Sequence, residues 1–232
     1  MTRGSPAREV QKEQTRARLV EAALSVFARR GYQEATVDEV AATAGYSKGA
    51  FYFHFNSKEE VFLELLKLWA AEQTDRLKAF EAPVPAAALL EGLEAFLSYE
   101  RRARNWPPLV LEFWSQGRRE PPVQDALRRA YGSWQKRLIQ AFRQAASGPS
   151  SGGLLGGVAP EVAARTVLAT HDGLLVETCM DPDSVAQGSL RRVLGTLLRY
   201  LASGAPEVIL DATRAPTSRP PHSGRRRRPS AA

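Results

Sequence analysis

Residues 31–62 read GYQEATVDEVAATAGYSKGAFYFHFNSKEEVF and hold the strongest local signals in the 232-residue chain. Thr36 is followed three residues later by Glu39, a capping box that satisfies free backbone amides at a helix start. Gly45 ends that short helix, because glycine takes the left-handed backbone conformation without a side-chain clash. Ser47, two residues on, caps another helix. The two helices are therefore predicted to form a helix-turn-helix.

Longer helices flank this motif. Ser57 and Glu60 repeat the capping pattern at the start of a fourth helix, which is predicted over about 58–80. Phe51 and Phe55 lie four residues apart and are expected to face inward. The first helix presents an apolar stripe at helical spacing: Leu19, Val20, Ala23, Leu24 and Phe27. These apolar faces predict one small core beneath the helix-turn-helix.

The third helix carries side chains that suit a nucleic acid. Lys48 and Gly49 lie in its first turn, where the helix dipole favours an anion and the missing side chain lets a backbone approach. Tyr52 and His54 place polar tips on ring bodies, and Lys58 adds a charge at the start of the fourth helix. An αα-hairpin whose aromatics only fill a core is the alternative. The combined spacing of Lys48, Tyr52 and His54 favours DNA contact.

The span from about Arg16 to Leu66 resembles the DNA-binding domain of the TetR family of transcriptional regulators. The shared residues are Gly31, Tyr32, Thr36, Val40, Ala41, Ala44, Gly45, Ser47, Lys48, Gly49, Phe51, Tyr52, His54, Phe55, Lys58, Glu59 and Phe62. The resemblance implies that Lys48 and Gly49 touch bases or nearby backbone. It also implies that Thr36, Tyr52 and Lys58, together with His54, hold phosphates.

Two positions depart from the pattern of this family. Phe53 stands where a second tyrosine or a tryptophan is frequent, so a phosphate contact through a hydroxyl is expected to be missing. Tyr46 replaces a small aliphatic residue in the turn, where it either adds a DNA contact or covers the hairpin. The predicted DNA-binding residues are therefore Thr36, Tyr46, Ser47, Lys48, Gly49, Tyr52, His54 and Lys58.

Net charge is a weaker guide to function than these motifs. The formal net charge is +7, but residues 205–232 hold six basic and two acidic residues, so more than half of the excess lies there. A DNA footprint must therefore come from local placement of basic side chains. The candidates outside the tail are Lys48, Lys58, Arg3, Arg8, Lys12, Arg16 and Arg18.

Other features bound the class of protein. Cys179 is the only cysteine, which excludes an intrachain disulfide, and no apolar run approaches the ~18 residues of a membrane span. We expect a cytoplasmic protein without a signal peptide. No metal-ligand cluster, phosphate-binding glycine loop or paired nucleophile and base occurs, so we expect neither an enzyme nor a cofactor.

The remaining chain predicts an all-α fold of about nine helices, because apolar residues recur at helical spacing and no strand alternation appears. Helices are expected over 86–103, from Pro107, from Pro121, from Pro160 to about Met180, and over 184–203. The predicted organisation is a flexible basic arm (1–12), a helix-turn-helix domain (13–62), a helical effector-binding and dimerisation domain (63–204) and a disordered basic tail (205–232). The tail either attracts DNA phosphates or is an inert extension.

The last two helices are apolar over broad faces, which predicts a homodimer in which the pair meets its copy as a four-helix bundle. Burial within one subunit is the alternative. Paired recognition helices about 34–36 Å apart would match a palindromic operator in double-stranded DNA. The predicted interface residues are Val167, Leu174, Val193, Leu194, Leu197 and Leu201.

Aromatic residues in the middle helices predict a pocket for a small, largely apolar effector, although plain core is the alternative. The candidate lining residues are Tyr99, Trp106, Phe113, Trp134 and His171, beside Trp114. The carboxy-terminal half is similar to the betaine-regulator-type subgroup, which implies inducer binding there. We therefore predict a DNA-binding regulator, by family analogy a repressor, that an effector releases through the fourth helix. The alternative is a helical DNA-binding protein without small-molecule control.

Overall fold

A computed structural model describes residues 6–81, 86–97, 105–147 and 158–181. All regular structure in these ranges is helical, which confirms the predicted all-α fold. The elements are α1 (Pro6–Arg30), α2 (Val37–Thr43), α3 (Lys48–His54), α4 (Lys58–Arg76), a 3₁₀ turn (Leu77–Phe80), α5 (Ala86–Leu97), α6 (Trp106–Gly117), α7 (Pro121–Ser147) and α8 (Pro160–Met180). The predicted ninth helix (184–203), the tail and Tyr99 lie outside the described residues.

The amino-terminal part of α1 corrects one prediction. Residues 6–12 were expected to belong to a flexible arm, but α1 begins at Pro6 and continues without a break to Arg30. Proline suits the first turn of a helix, and the exposed residues 7–14 are mostly strong helix formers such as Ala, Arg, Glu, Gln and Lys. The apolar stripe starts only at Leu19, so the apolar pattern in the sequence did not indicate this extension of the helix.

The predicted capping box at the start of α2 is present. The Thr36 hydroxyl accepts a hydrogen bond from the Glu39 amide at 3.2 Å, and the Glu39 carboxylate accepts one from the Thr36 amide at 2.9 Å. Gly31 and Gly45 end the preceding segments with φ of 78° and 77°. Both glycines therefore occupy the left-handed region that disfavours other residues.

Serine caps begin the next two helices. The Ser47 hydroxyl accepts a hydrogen bond from the Ala50 amide at 3.2 Å, and the Ser57 hydroxyl accepts one from the Glu60 amide at 3.2 Å. The second cap differs from a full capping box, because the Glu60 carboxylate accepts from the Asn56 amide at 2.7 Å. A helix as short as α3 is not stable by itself, so the Ser47 cap contributes to its stability.

An aromatic cluster joins the helix-turn-helix to the rest of the molecule. Phe62 on α4 packs edge-on against Phe113 on α6, with ring centroids 4.8 Å apart. Trp69 on α4 lies 6.0 Å from Phe113 and 5.1 Å from Trp134 on α7. All four side chains are buried. Since α4 runs through the predicted domain boundary at 62/63, this one helix contributes to both cores.

None of the helices in the described ranges is long and apolar enough to cross a lipid bilayer.

Two glycines provide a matched test of the turn between α2 and α3. A Cβ added at Gly45 or at Gly132, within α7, would meet no neighbouring group within 4 Å, so only the backbone angles of the two residues differ. Gly45→Ala should lower the free energy of unfolding by about 1–2 kcal/mol, because φ is positive there. Gly132→Ala should raise it by about 0.5–1 kcal/mol, since alanine favours the helix. Chemical denaturation of both variants measures this, and shifts of the same sign would refute it.

Candidate nucleic-acid interface

One side of α3 is open to solvent. Lys48, Gly49, Tyr52 and Phe53 are exposed, while Phe51 on the opposite side is fully buried. The four exposed residues are spaced by one and four positions, which puts them on one continuous helix face. Phe51 and Phe55 anchor the helix from below, as predicted. The arrangement leaves a short helix whose outer face is free to enter a groove.

Lys48 is paired within the protein. Its Nζ lies 2.7 Å from the Asp38 carboxylate on α2, and the hydrogen bond to Asp38 and its charge raise the pKa of Lys48. Both side chains are more than half exposed, and exposed ion pairs are weak because water screens them. The ammonium can therefore leave Asp38 for a stronger acceptor.

Tyr46 and Thr36 are largely occupied by local contacts. The Tyr46 hydroxyl lies 3.5 Å from the Thr15 hydroxyl on α1, and this hydrogen bond lowers the pKa of Tyr46. Tyr46 is half-buried and covers the hairpin against α1, the second of the two alternatives for this residue. Thr36 is exposed, but its hydroxyl both accepts from the Glu39 amide and donates to the Glu39 carboxylate at 3.1 Å.

His54 lies near two basic residues in the amino-terminal half of α1, Lys12 and Arg16. Its Nδ1 is buried without a hydrogen-bond partner, and burial, followed by the charges of Lys12 and Arg16, lowers the pKa of His54. The imidazole is therefore neutral near neutral pH and offers a hydrogen bond rather than a charge. His54 has a lower pKa in the folded protein than in the unfolded chain. As the pH falls, the unfolded chain therefore takes up a proton first, and the free energy of unfolding decreases.

Lys58 is held by hydrogen bonds within the protein. Its ammonium donates to three backbone carbonyls in the turn between α1 and α2, those of Tyr32 at 2.8 Å, Gln33 at 3.1 Å and Ala35 at 3.0 Å. It also lies 4.6 Å above the Tyr32 ring. An ammonium has three donor hydrogens, so these carbonyls use all of them. Lys58 ties the turn to α4 and has no donor left for a phosphate.

The structure places two of the basic candidates of α1, Lys12 and Arg16, beside this surface. The Lys12 ammonium lies 5.4 Å above the exposed Phe53 ring, and the Arg16 guanidinium lies 4.8 Å above Phe55. Arg16 also pairs with Glu64 at 3.0 Å. The spacing of Arg8, Lys12 and Arg16 by four residues puts them on one side of α1. That spacing is visible in the sequence, but the prediction of a flexible arm concealed it.

Family models match both halves of the chain. The tetR family of bacterial regulatory proteins matches residues 19–65, and the carboxy-terminal domain of BetI-type transcriptional repressors matches residues 85–203, just over half of the chain. The chain belongs to the TetR family. The predicted helix-turn-helix lies within the first match.

Known proteins agree with this assignment. The A-factor receptor protein of Streptomyces griseus is 27% identical over 198 residues, which are 84% of this chain and 65% of that protein. The regulator SrpR of Pseudomonas putida is 48% identical over 54 residues, 23% of this chain and 25% of that protein. The chain thus spans less than two thirds of each relative. A solved transcriptional regulator from Rhodococcus sp. Rha1 has a TM-score of 0.67 at 25% identity, covering 82% of this chain and 96% of that one.

The carboxy-terminal half of this TetR-family protein contains a polar chain among its aromatics. The Trp114 indole donates to the Tyr131 hydroxyl at 3.1 Å, and that hydroxyl donates to the Asp172 carboxylate at 2.8 Å. His171 is buried, stacks on Phe96 at 4.8 Å, and has its Nδ1 3.4 Å from the same carboxylate. The predicted pocket left out Tyr131, which lies on another helix and shares no sequence spacing with His171, and Asp172, which follows His171 directly.

The other predicted pocket residues are distributed more widely. Phe113 and Trp134 belong to the aromatic cluster with α4, where the Trp134 indole donates to the Thr74 hydroxyl at 3.0 Å. Trp106 is half-buried at the start of α6. The structure therefore connects His171 to Tyr131 and Trp114 through the Asp172 carboxylate.

The predicted dimer residues on α8 need correction. Val167 and Leu174 are buried within their own subunit, because this face of α8 packs on the neighbouring helices. The apolar residues of α8 that are exposed are Val162, Val176 and Met180. Both sides of α8 carry apolar residues, and periodicity did not say which of them is covered within the subunit. Val193, Leu194, Leu197 and Leu201 lie outside the described residues.

Replacing Lys58 separates a structural from a phosphate-binding role. Lys58→Met keeps the side-chain length but leaves three carbonyls without their donor, so the free energy of unfolding should fall by about 1–3 kcal/mol. Loss of a phosphate contact would instead lower the salt slope of DNA affinity by about one. We expect the slope to stay constant in titrations below the melting temperature.

Lys67→Met is the matched control. Lys67 is on the same helix, its side chain is 72% exposed, and its ion pair with Glu64 is long, at 4.0 Å. It should change stability by less than about 0.5 kcal/mol. A normal melting temperature for Lys58→Met together with a reduced salt slope would restore the phosphate role.

Proposed function

We propose that this protein is a repressor that binds a palindromic operator in double-stranded DNA as a homodimer and is released by a small-molecule effector. The exposed face of α3, with Lys48, Gly49 and Tyr52 on one side of the helix, is the observation that carries this proposal. In the proposal the protein acts on chromosomal DNA in the cytoplasm. Residues 63–204 serve effector binding and dimerisation in the proposed complex.

The residues of α3 and its surroundings have separate roles in the proposed complex. Lys48 leaves Asp38 and reads base edges, while Gly49 lets the backbone approach the groove. Tyr52 and neutral His54 donate hydrogen bonds to phosphates. Ser47 holds the start of α3, and Thr36, which caps α2, faces the phosphate backbone at the edge of the site. Tyr46 supports the hairpin from behind.

Dimerisation follows from the small size of the reading element. The seven residues of α3 reach only a few base pairs, so two copies about 34–36 Å apart are needed for a specific site. Val162, Val176 and Met180 supply an exposed apolar strip on α8 for a second subunit. The carboxy-terminal family match, which ends at residue 203, includes the segment predicted to pair beside it.

The effector is proposed to bind in the carboxy-terminal half, near His171 and Tyr131. A relative at 27% identity is named the A-factor receptor protein, which supports control by a ligand. We propose a small, largely apolar compound, because three aromatic side chains, those of Trp114, Tyr131 and Phe96, lie at or next to the polar groups of this region. Such a ligand would favour the conformation in which the two copies of α3 no longer match successive grooves.

Two contacts could transmit this change to the DNA-binding domain. Phe62 on α4 packs on Phe113, as the predicted route through the fourth helix requires. A second contact comes directly from α6: the Gln33 amide donates to the Gln116 side chain at 3.0 Å, and Gln116 is buried. A movement of α6 would therefore act on the turn before α2 as well as on α4.

Selection of bound fragments from random duplex DNA tests the proposed function. We expect a palindromic consensus, because two symmetry-related copies of α3 read one site. Within that consensus, Lys48→Ala should change base preference and lower affinity by about 1–3 kcal/mol at one position per half-site. Tyr52→Phe removes only a hydroxyl and should weaken binding evenly across sequences. Binding without any sequence preference would instead favour a structural DNA-binding protein.

The dimer surface is tested by a charge on α8. Val176 is 37% exposed, and Val176→Glu places a carboxylate on this apolar strip. The dimer dissociation constant should rise by about tenfold or more, because dimerisation would bury an unpaired charge. Analytical ultracentrifugation measures this. Val10→Glu on α1, where valine is 52% exposed, is the control and should leave the mass unchanged. Monomeric wild-type protein at micromolar concentration would contradict the proposal.

A further inference from the structure

Phe53 differs from every other phenylalanine in the chain. Its side chain is 71% exposed, although the eight other phenylalanines, which all lie in the described ranges, are buried. It lies on the outer face of α3, one turn after Gly49. Nothing on the neighbouring turn shields it, because Gly49 has no side chain. An aromatic ring left in water at this position has an apolar surface available to a partner.

The surroundings of Phe53 indicate the chemistry of that partner. The Lys12 ammonium lies 5.4 Å from the ring centroid, and the next basic residue of α1, Arg16, lies over Phe55. His54 meets the ring edge-on at 5.2 Å. The ring thus lies between the exposed face of α3 and a line of positive charge on α1. A partner that is apolar at one point and anionic beside it fits this surface.

Duplex DNA offers both features. In the major groove the C5-methyl of thymine is an apolar group on a base edge, and phenylalanine is one of the side chains that pack on it. The phosphates along the groove wall supply the anionic part, which suits Lys12. A tyrosine hydroxyl at this position would point a polar group at the same methyl. The phenylalanine ring therefore favours contact with a base over contact with a phosphate.

We infer that Phe53 is a specificity-determining residue that packs on a thymine methyl in the major groove, while Lys12 binds the adjacent phosphate. This inference rests on the proposed function, because it requires α3 to lie in the groove. It goes beyond that function by assigning one base to one side chain. It also assigns Lys12 a contact that sets affinity but carries no sequence information.

The test removes single methyl groups from the operator. Each thymine of the selected consensus is replaced in turn by deoxyuridine, which keeps the base pair and deletes only the methyl. For the wild-type protein we expect one position per half-site at which affinity falls about fourfold, the effect of one buried methyl group. Fluorescence anisotropy at constant salt measures each affinity.

Variants connect this loss to the ring and to the charge. Phe53→Ala should bind the normal operator less tightly and should be insensitive to deoxyuridine at that position. Phe53→Tyr keeps the ring body and should retain part of the sensitivity. Lys12→Gln should keep the full methyl sensitivity but lower the salt slope by about one. Circular dichroism should show unchanged folding for all three, because both side chains are exposed.

Two results would overturn the inference. One is a consensus at which no deoxyuridine substitution affects the wild-type protein. The other is an equal loss for wild type and Phe53→Ala, which would assign the methyl to another residue and leave Phe53 against the sugar backbone. Both results require a sequence-specific consensus, so the proposed function would stand. Absence of any consensus would reject the proposed function instead.

Discussion

The packing of Phe62 and Trp69 on Phe113 is the contact on which the two halves of the molecule depend. Phe62 and Trp69 lie on α4, which begins in the helix-turn-helix and ends among the carboxy-terminal helices, while Phe113 lies on α6. Because buried aromatic side chains fill their site closely, α4 cannot tilt without moving α6. The helix-turn-helix domain, proposed to read DNA, and the domain proposed to bind an effector are therefore joined by a shared core and not by a flexible linker.

Polar contacts around this core hold the reading helix in place. Lys58 fastens the turn before α2 to the start of α4 through three carbonyls, and Gln116 reaches the same turn from α6. Each contact satisfies backbone or side-chain groups that would otherwise be partly buried without partners. The turn before α2 is consequently fixed by contacts from both α4 and α6. These contacts help to set the orientation of α2 and α3.

The local features of the fold were predictable because their physics is local. Thr36 with Glu39, Ser47 and Gly45 specify helix ends through groups only a few residues apart, and all behave as predicted. Inward placement of Phe51 and Phe55 follows from helical spacing. The role of Lys58 was not predictable, since its acceptors are 23 to 26 residues away along the chain. A surface lysine near a DNA-binding motif suggests a phosphate contact unless those carbonyls are known.

The amino-acid sequence by itself determined the helical class, the helix-turn-helix and the family, because caps, apolar periodicity and a dense motif are encoded in short segments. Tertiary structure alone decided which sides of the helices are covered. It buried Val167 and Leu174, left Val176 and Phe53 exposed, and placed Lys12 over that ring. Periodicity defines an apolar face but not the neighbour that covers it, and only packing between distant segments supplies that neighbour.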